Sequence, residues 1–162
     1  MKNYFFITLI LLLNVLDVHA QKIKLISSYE KNVENGTRYV VVLDDNSIWW
    51  YSPGKPWNKS SLEGLPKASI KFISTYEKNV DNGTRYVVVL EDNSIWWFSP
   101  NNPWKKSSTQ GLPAGYKIIN FQAYEKNVEN GTRYVALLSD GSIWWYTPDG
   151  EWKQSSVEGL PK

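Results

Sequence analysis

Apolar and polar positions alternate along this chain in short runs broken by turn residues, and no stretch after the first twenty residues carries helical periodicity. The short run Lys24–Tyr29, with Leu25 and Ile26 in it and only weak alternation, predicts a strand. Asn35-Gly36, Asn82-Gly83 and Asn130-Gly131 each sit between two apolar runs, the strongest short-range signal for a tight hairpin. Arg38-Tyr39-Val40-Val41-Val42-Leu43 follows, apolar at nearly every position, so both faces of that strand need cover. Asp44-Asp45-Asn46-Ser47 then reverses the chain. Ile48-Trp49-Trp50-Tyr51 predicts the next strand, with Ile48 and Trp50 on one face and Trp49 and Tyr51 on the other. After the loop Ser52–Pro56, Trp57 opens a short fourth strand.

The pattern occurs three times. Trp49-Trp50 returns as Trp96-Trp97 and Trp144-Trp145, a spacing of about 47 residues. Tyr29, Tyr76 and Tyr124 open the copies, Trp57, Trp104 and Trp152 follow the paired tryptophans, and Gly64-Leu65-Pro66, Gly111-Leu112-Pro113 and Gly159-Leu160-Pro161 close them. The repeats run over about 22–69, 70–117 and 118–162. The third copy writes its turn Ser139-Asp140-Gly141-Ser142, with Gly141 where the others have Asn46 and Asn93. Asn and Gly share tolerance of left-handed backbone, so this slot is expected to need it.

An all-β fold with three four-stranded units suits two architectures. A β-trefoil closes with three units, whereas a β-propeller needs at least four blades, so three per chain predict pairing of chains, for instance a homodimer forming a six-bladed ring. The strand that is apolar on both faces favours propeller-type blades, with the trefoil as the alternative and an open three-unit solenoid behind both.

Residues 1–20 stand apart. Lys2 precedes an apolar run from Tyr4 to Leu16, and Asp17-Val18-His19-Ala20 ends on a small residue, as in a secretory signal peptide cleaved after Ala20. The run of about thirteen residues is short for a bilayer, which takes roughly 20. The expected product is secreted or periplasmic, with no membrane span. Removing that segment removes His19, the one histidine, and the chain has no cysteine. Thiolate or imidazole nucleophiles and Cys/His zinc sites are thereby excluded, and no cofactor is expected. A net charge of +2 without any basic run argues against nucleic acid.

Candidate chemistry lies in the repeated aromatic and polar residues. Nine tryptophans make three per copy. One of each pair, Trp50, Trp97 or Trp145, is expected to pack between sheets, while its partner on the opposite face, or the loop residue Trp57, Trp104 or Trp152, is expected to be more exposed and able to stack on a sugar ring. Tyr29-Glu30-Lys31-Asn32-Val33 is repeated, with only Glu/Asp interchange further on, while loop Ser52–Pro56 drifts to Ser99–Pro103 and Thr147–Glu151. Selective drift marks Glu30, Lys31, Asn32 and Arg38 as constrained, and with them Glu77, Glu125, Arg85 and Arg133, by structural Glu–Arg ion pairs or by contacts to a shared ligand. Asp45, Asp92 and Asp140 are expected to cap their own turns and not to form metal or catalytic carboxylate sites.

The run Val42-Leu43-Asp44-Asp45-Asn46-Ser47-Ile48-Trp49-Trp50-Tyr51, then Trp57, then Leu62-Glu63-Gly64-Leu65, resembles the blades of tectonin and tachylectin-type lectin propellers, and the likeness extends over residues 22–162. The skeleton is also similar to fucose-binding propeller lectins. That likeness implies sugar contacts from Arg38, Arg85 and Arg133 and from Trp57, Trp104 and Trp152. Where those lectins have a Glu on the third strand this chain has Trp50, Trp97 and Trp145, a departure at a residue tied to fucose specificity. The resulting expectation is an exported, non-catalytic, multivalent glycan-binding protein. The alternative is a protein-binding propeller serving as an exported inhibitor, immunity factor or adhesion subunit, and a glycosidase ranks third.

Overall fold

The structure, a computed structural model, describes residues 21–29, 38–76, 85–124, 133–146 and 150–161. Residues 1–20, the three Asn-Gly dipeptides and Glu30, Glu77 and Glu125 lie outside the described residues, and with them the expected signal peptide and hairpin turns. Among the described residues there are twelve strands and no helix, hence none long and apolar enough to cross a membrane.

The first sheet holds β1 (Ile23–Tyr29), β2 (Arg38–Leu43), β3 (Ile48–Tyr51) and β4 (Asn58–Lys59), each antiparallel to its neighbour in chain order. The second repeats this with β5 (Ile70–Tyr76), β6 (Arg85–Leu90), β7 (Ile95–Phe98) and β8 (Lys105–Lys106). The third has β9 (Ile118–Tyr124), β10 (Arg133–Leu138), β11 (Ile143–Tyr146) and β12 (Lys153–Gln154). The fourth strand begins one residue after the loop tryptophan, close to where the pattern put it.

The turn between second and third strands shows why the sequence is written as it is. Asn46 and Asn93 take left-handed φ of 60° and 62°, and Gly141 takes 83°. Asp45 Oδ1 accepts the Ser47 N–H at 2.8 Å, and Asp92 and Asp140 repeat the bond with Ser94 and Ser142 at 2.9 Å. The serine hydroxyls that hydrogen-bond to these carboxylates hold all three below the usual carboxylate range, seconded by the backbone N–H. Each serine hydroxyl in turn accepts the indole N–H of Trp49, Trp96 or Trp144 at 3.0, 3.0 and 2.8 Å. One turn thus fixes the first indole of each pair.

The sheets stack front to back. The rear face of the first sheet (Val40, Val42, Ile48, with Trp50) meets the front of the second (Ile70, Ile73, Tyr86, Val88, Leu90, Phe98, Trp104) in one apolar cluster. The rear of the second (Val87, Val89, Ile95, with Trp97) meets the front of the third (Ile118, Phe121, Tyr134, Ala136, Leu138, Tyr146, Trp152) in another. The centre of β6 is covered on both sides, as a run without alternation requires: Tyr86 to Leu90 are wholly buried. First strands adjoin across each joint. Thr75 donates its N–H to Ser27 Oγ at 3.0 Å and its hydroxyl to the Ser28 carbonyl at 2.9 Å, and the Ala123 N–H reaches Ser74 Oγ at 2.8 Å. Asn46 and Asn93 also reach forward, their Oδ1 atoms accepting the N–H of Ile70 at 3.2 Å and of Ile118 at 3.0 Å. The left-handed turn therefore starts the next sheet.

Candidate functional site

Two of the three loop tryptophans are placed against expectation. Trp104 and Trp152 are 3% and 2% exposed, while Trp57 is 41% exposed. Each belongs to an aromatic trio on the front of its sheet. Tyr86, Phe98 and Trp104 have ring centroids 5.0 to 5.6 Å apart, and Tyr134, Tyr146 and Trp152 form the same group. Trp104 donates its N–H to the Glu63 carbonyl and its indole N–H to the Ser61 carbonyl, both at 2.9 Å. Trp152 makes the same pair with Gln110 and Ser108 at 3.0 Å. The sequence reading put these residues at the surface because a loop Trp has nothing local to cover it. The preceding sheet's closing segment covers it instead, so Trp104 and Trp152 present no ring face for a ligand to stack on.

The Gly-Leu-Pro closers acquire a reason at the same contact. Gly64 has φ of 85°, and a Cβ built there would stand 2.9 Å from the Trp104 carbonyl oxygen; at Gly111 the clash with Trp152 would be tighter. Only glycine lets the two backbones approach this closely.

Pinning the closing segment leaves an open groove beside it. The groove between first and second sheets has a volume of about 410 Å³ and is lined by Trp50, Lys59, Ser60, Ser61, Glu63, Phe98 and residues 100–103. Trp50 stands on the rear of β3 opposite Val40, half-buried, with one side on the core. The facing wall is the drifting loop, stiffened by the left-handed Asn101 (φ 65°) and by the Asn102 amide donating to the Pro100 carbonyl at 3.1 Å. An indole, a carboxylate and two amides thus border one open notch, the kind of mixed lining that small polar ligands occupy, while the Lys59 ammonium lies over Trp49 on the other face of β3, 5.7 Å from its ring centroid.

The second joint varies these parts. Trp97 is half-buried beneath Lys105, whose Nζ lies 5.4 Å from its ring centroid, and Gln110 replaces Glu63, donating to Glu151 Oε1 at 2.5 Å. Trp145 has Lys153 at 5.6 Å. Part of the facing loop, residues 147–149, lies outside the described residues. The sequence reading placed one tryptophan of each pair between sheets, and the stack corrects it in two of the three repeats. In the second repeat both members pack there, Trp96 on one cluster and Trp97 on the other, because the middle sheet is covered on both faces. In the third it is Trp144 that packs on a cluster and not Trp145, whose face of the sheet has no sheet behind it among the described residues.

Arg38, Arg85 and Arg133 stand half-buried at the start of the second strands, and the Nε of each is buried without a hydrogen-bond partner among the described residues. None lines the groove, and their repeated Glu counterparts, Glu30, Glu77 and Glu125, lie outside the described residues. Of the candidates read from sequence, Trp50 alone lines the groove beside the first joint. Lys59, Glu63, Asn101 and Asn102 were missed. For Asn101 and Asn102 the signal was the loop drift itself, a scaffold held constant around a varied wall; Lys59 and Glu63 lie outside that loop and carried no such signal.

No family model matches the chain, and no curated protein matches it.

Proposed function

We propose that this protein is an exported, non-catalytic carbohydrate-binding module of the lectin-propeller kind, in which the grooves between successive sheets hold sugar residues. The carrying observation is the groove at the first joint, lined by the half-buried indole of Trp50, by Glu63 and by the Asn101-Asn102 loop. An aromatic ring offers its face to the C–H side of a pyranose, while a carboxylate and amides take hydroxyls. A middle sheet stacked through both faces of its second strand supports blades over a trefoil, in keeping with the tectonin-like and tachylectin-like motifs. Export rests on the leader pattern of residues 1–20. Presented several times on a surface that carries many glycans, a weak groove of this kind would gain avidity.

The test is binding to insoluble polysaccharides and a glycan array. The expected result is retention that free sugar competes away and that Glu63→Ala with Asn102→Ala abolishes while circular dichroism is unchanged. Binding that resists sugar competition would point to the protein-binding alternative. Silence across all glycans overturns the carbohydrate reading.

A further inference from the structure

The two ends of the stack carry the two halves of the contact that joins the sheets inside it. At the front, Tyr39, Tyr51 and Trp57 hold the same trio geometry as the buried copies, with centroids 5.0 to 5.4 Å apart. Around it Ile23 and Ile26 are 59% and 64% exposed, where their counterparts Ile70 and Ile73 are 0% and 9%.

At the rear, the third closing segment is already shaped as a socket. Glu158 donates its N–H to Ser156 Oγ at 3.1 Å, as Glu63 and Gln110 do to Ser61 and Ser108 at 3.2 Å. Leu160 closes the turn on the Val157 carbonyl at 3.2 Å, as Leu65 and Leu112 close theirs on Leu62 and Thr109. Gly159 keeps the left-handed φ of 88°, yet a Cβ there would meet nothing within 4 Å. A glycine in that conformation serves close backbone approach at the two internal joints, and no such neighbour stands at the third among the described residues.

We propose that a second copy of this chain fills each end: Trp57 of one molecule seats on residues 156–160 of the other, head to tail. Its backbone N–H donates to the Glu158 carbonyl and its indole N–H to the Ser156 carbonyl, as Trp104 and Trp152 do within the chain. The surface is continuous in kind with the internal joints, and its substitutions fit a second copy. Lys71 reaches the Ile118 carbonyl at 2.6 Å, so the equivalent residue of the third sheet, Ile119, falls opposite Ile23. Ile119 is 50% exposed, and the joint so formed sets isoleucine against isoleucine. One polar bond is given up, because Gly141 has no oxygen where Asn46 and Asn93 cap the next strand. Two chains supply six four-stranded sheets, a number at which propeller-like rings close, and closure of a head-to-tail contact prevents open polymerisation.

Sedimentation velocity on the purified chain tests this, with circular dichroism as the control for folding. A two-chain species is expected, and Trp57→Gln and Gly159→Asn should each weaken it about thirtyfold or more, as loss of a central anchor does. Asn tolerates the left-handed backbone of Gly159 but places a Cβ against the incoming Trp57 carbonyl. Mixing the two variants is the decisive arm. One has an intact socket and the other an intact Trp57, so the mixture should recover a two-chain species that neither forms alone. A wild-type monomer at the highest soluble concentration, a dimer indifferent to both substitutions, or no recovery on mixing overturns the proposal. A ladder of larger species overturns the two-chain ring. None of these outcomes depends on whether the grooves bind sugar.

Discussion

Trp57 and Trp104 occupy the same place in the same motif, and each packs with two aromatic neighbours at closely similar distances. One is sealed and the other is not. The difference arises from the sheet in front: Ser61, Glu63 and Gly64 close over Trp104, and Trp57 has no such cover among the described residues. Burial here belongs to the joint and not to the repeat. A substitution at one repeated position should therefore have different effects depending on which joint it touches.

The largest contrast is expected from the tryptophans themselves. Trp104→Ala or Trp152→Ala deletes a buried indole and orphans the carbonyl that accepts its N–H, costing about 3–5 kcal/mol. Trp57→Ala should cost less than about 1 kcal/mol of folding stability. Urea unfolding at high dilution measures both, and equal losses would show that the first trio is covered after all. The closing glycines come next. Gly159→Ala bears only the strain of left-handed backbone, about 1–2 kcal/mol. Gly111→Ala adds a clash with the Trp152 backbone that side-chain motion cannot relieve, so its unfolding midpoint should fall further.

How much of this was legible follows the same division. What depends on one repeat could be read from it. The left-handed slot at Asn46, Asn93 and Gly141, the Asp caps, the order of four strands and the doubly covered second strand all follow from local residue chemistry. What depends on two repeats could not. Nothing in the residues around Trp104 distinguishes it from Trp57, and the groove wall at residues 100–103 looks like an ordinary variable turn until it faces Trp50. The buried Nε atoms of Arg38, Arg85 and Arg133 belong with the second group, since the sequence proposes partners in Glu30, Glu77 and Glu125 that lie outside the described residues.

A smaller effect sharpens the comparison at the turns. Asn93→Gly keeps the backbone conformation that the third repeat already achieves with Gly141, but removes the acceptor for the Ile118 N–H. The expected loss is about 1 kcal/mol. Gly141→Asn supplies the missing oxygen at the other end and should leave the isolated chain unchanged, while strengthening association of two copies. Paired urea unfolding and sedimentation runs separate the two effects, and a stability gain in dilute monomer from Gly141→Asn would mean the side chain finds a partner within its own chain.

The smallest effect is that of pH, and its sign follows from the caps. Asp45, Asp92 and Asp140 are held below the ordinary value of 3.8, first by the serine hydroxyl bonded to each carboxylate. A carboxyl depressed on folding adds stability that is present above its unfolded pKa and is lost as pH falls through its lower, folded one. The turns should therefore loosen only in acid below about pH 4. Solvent screens these exposed groups, so the change is modest in global stability and is better sought locally. Asp92 adjoins Asn93, which caps Ile118, and Asp45 adjoins Asn46, which caps Ile70; Asp140 adjoins Gly141, which has no side chain to cap with. Acidification should accordingly lower amide-exchange protection at Ile118 and Ile70, with Asp92→Asn removing the pH dependence at Ile118 alone. Uniform loss of protection across both amides in that variant would mean that the turns act through the whole stack and not through their own joints.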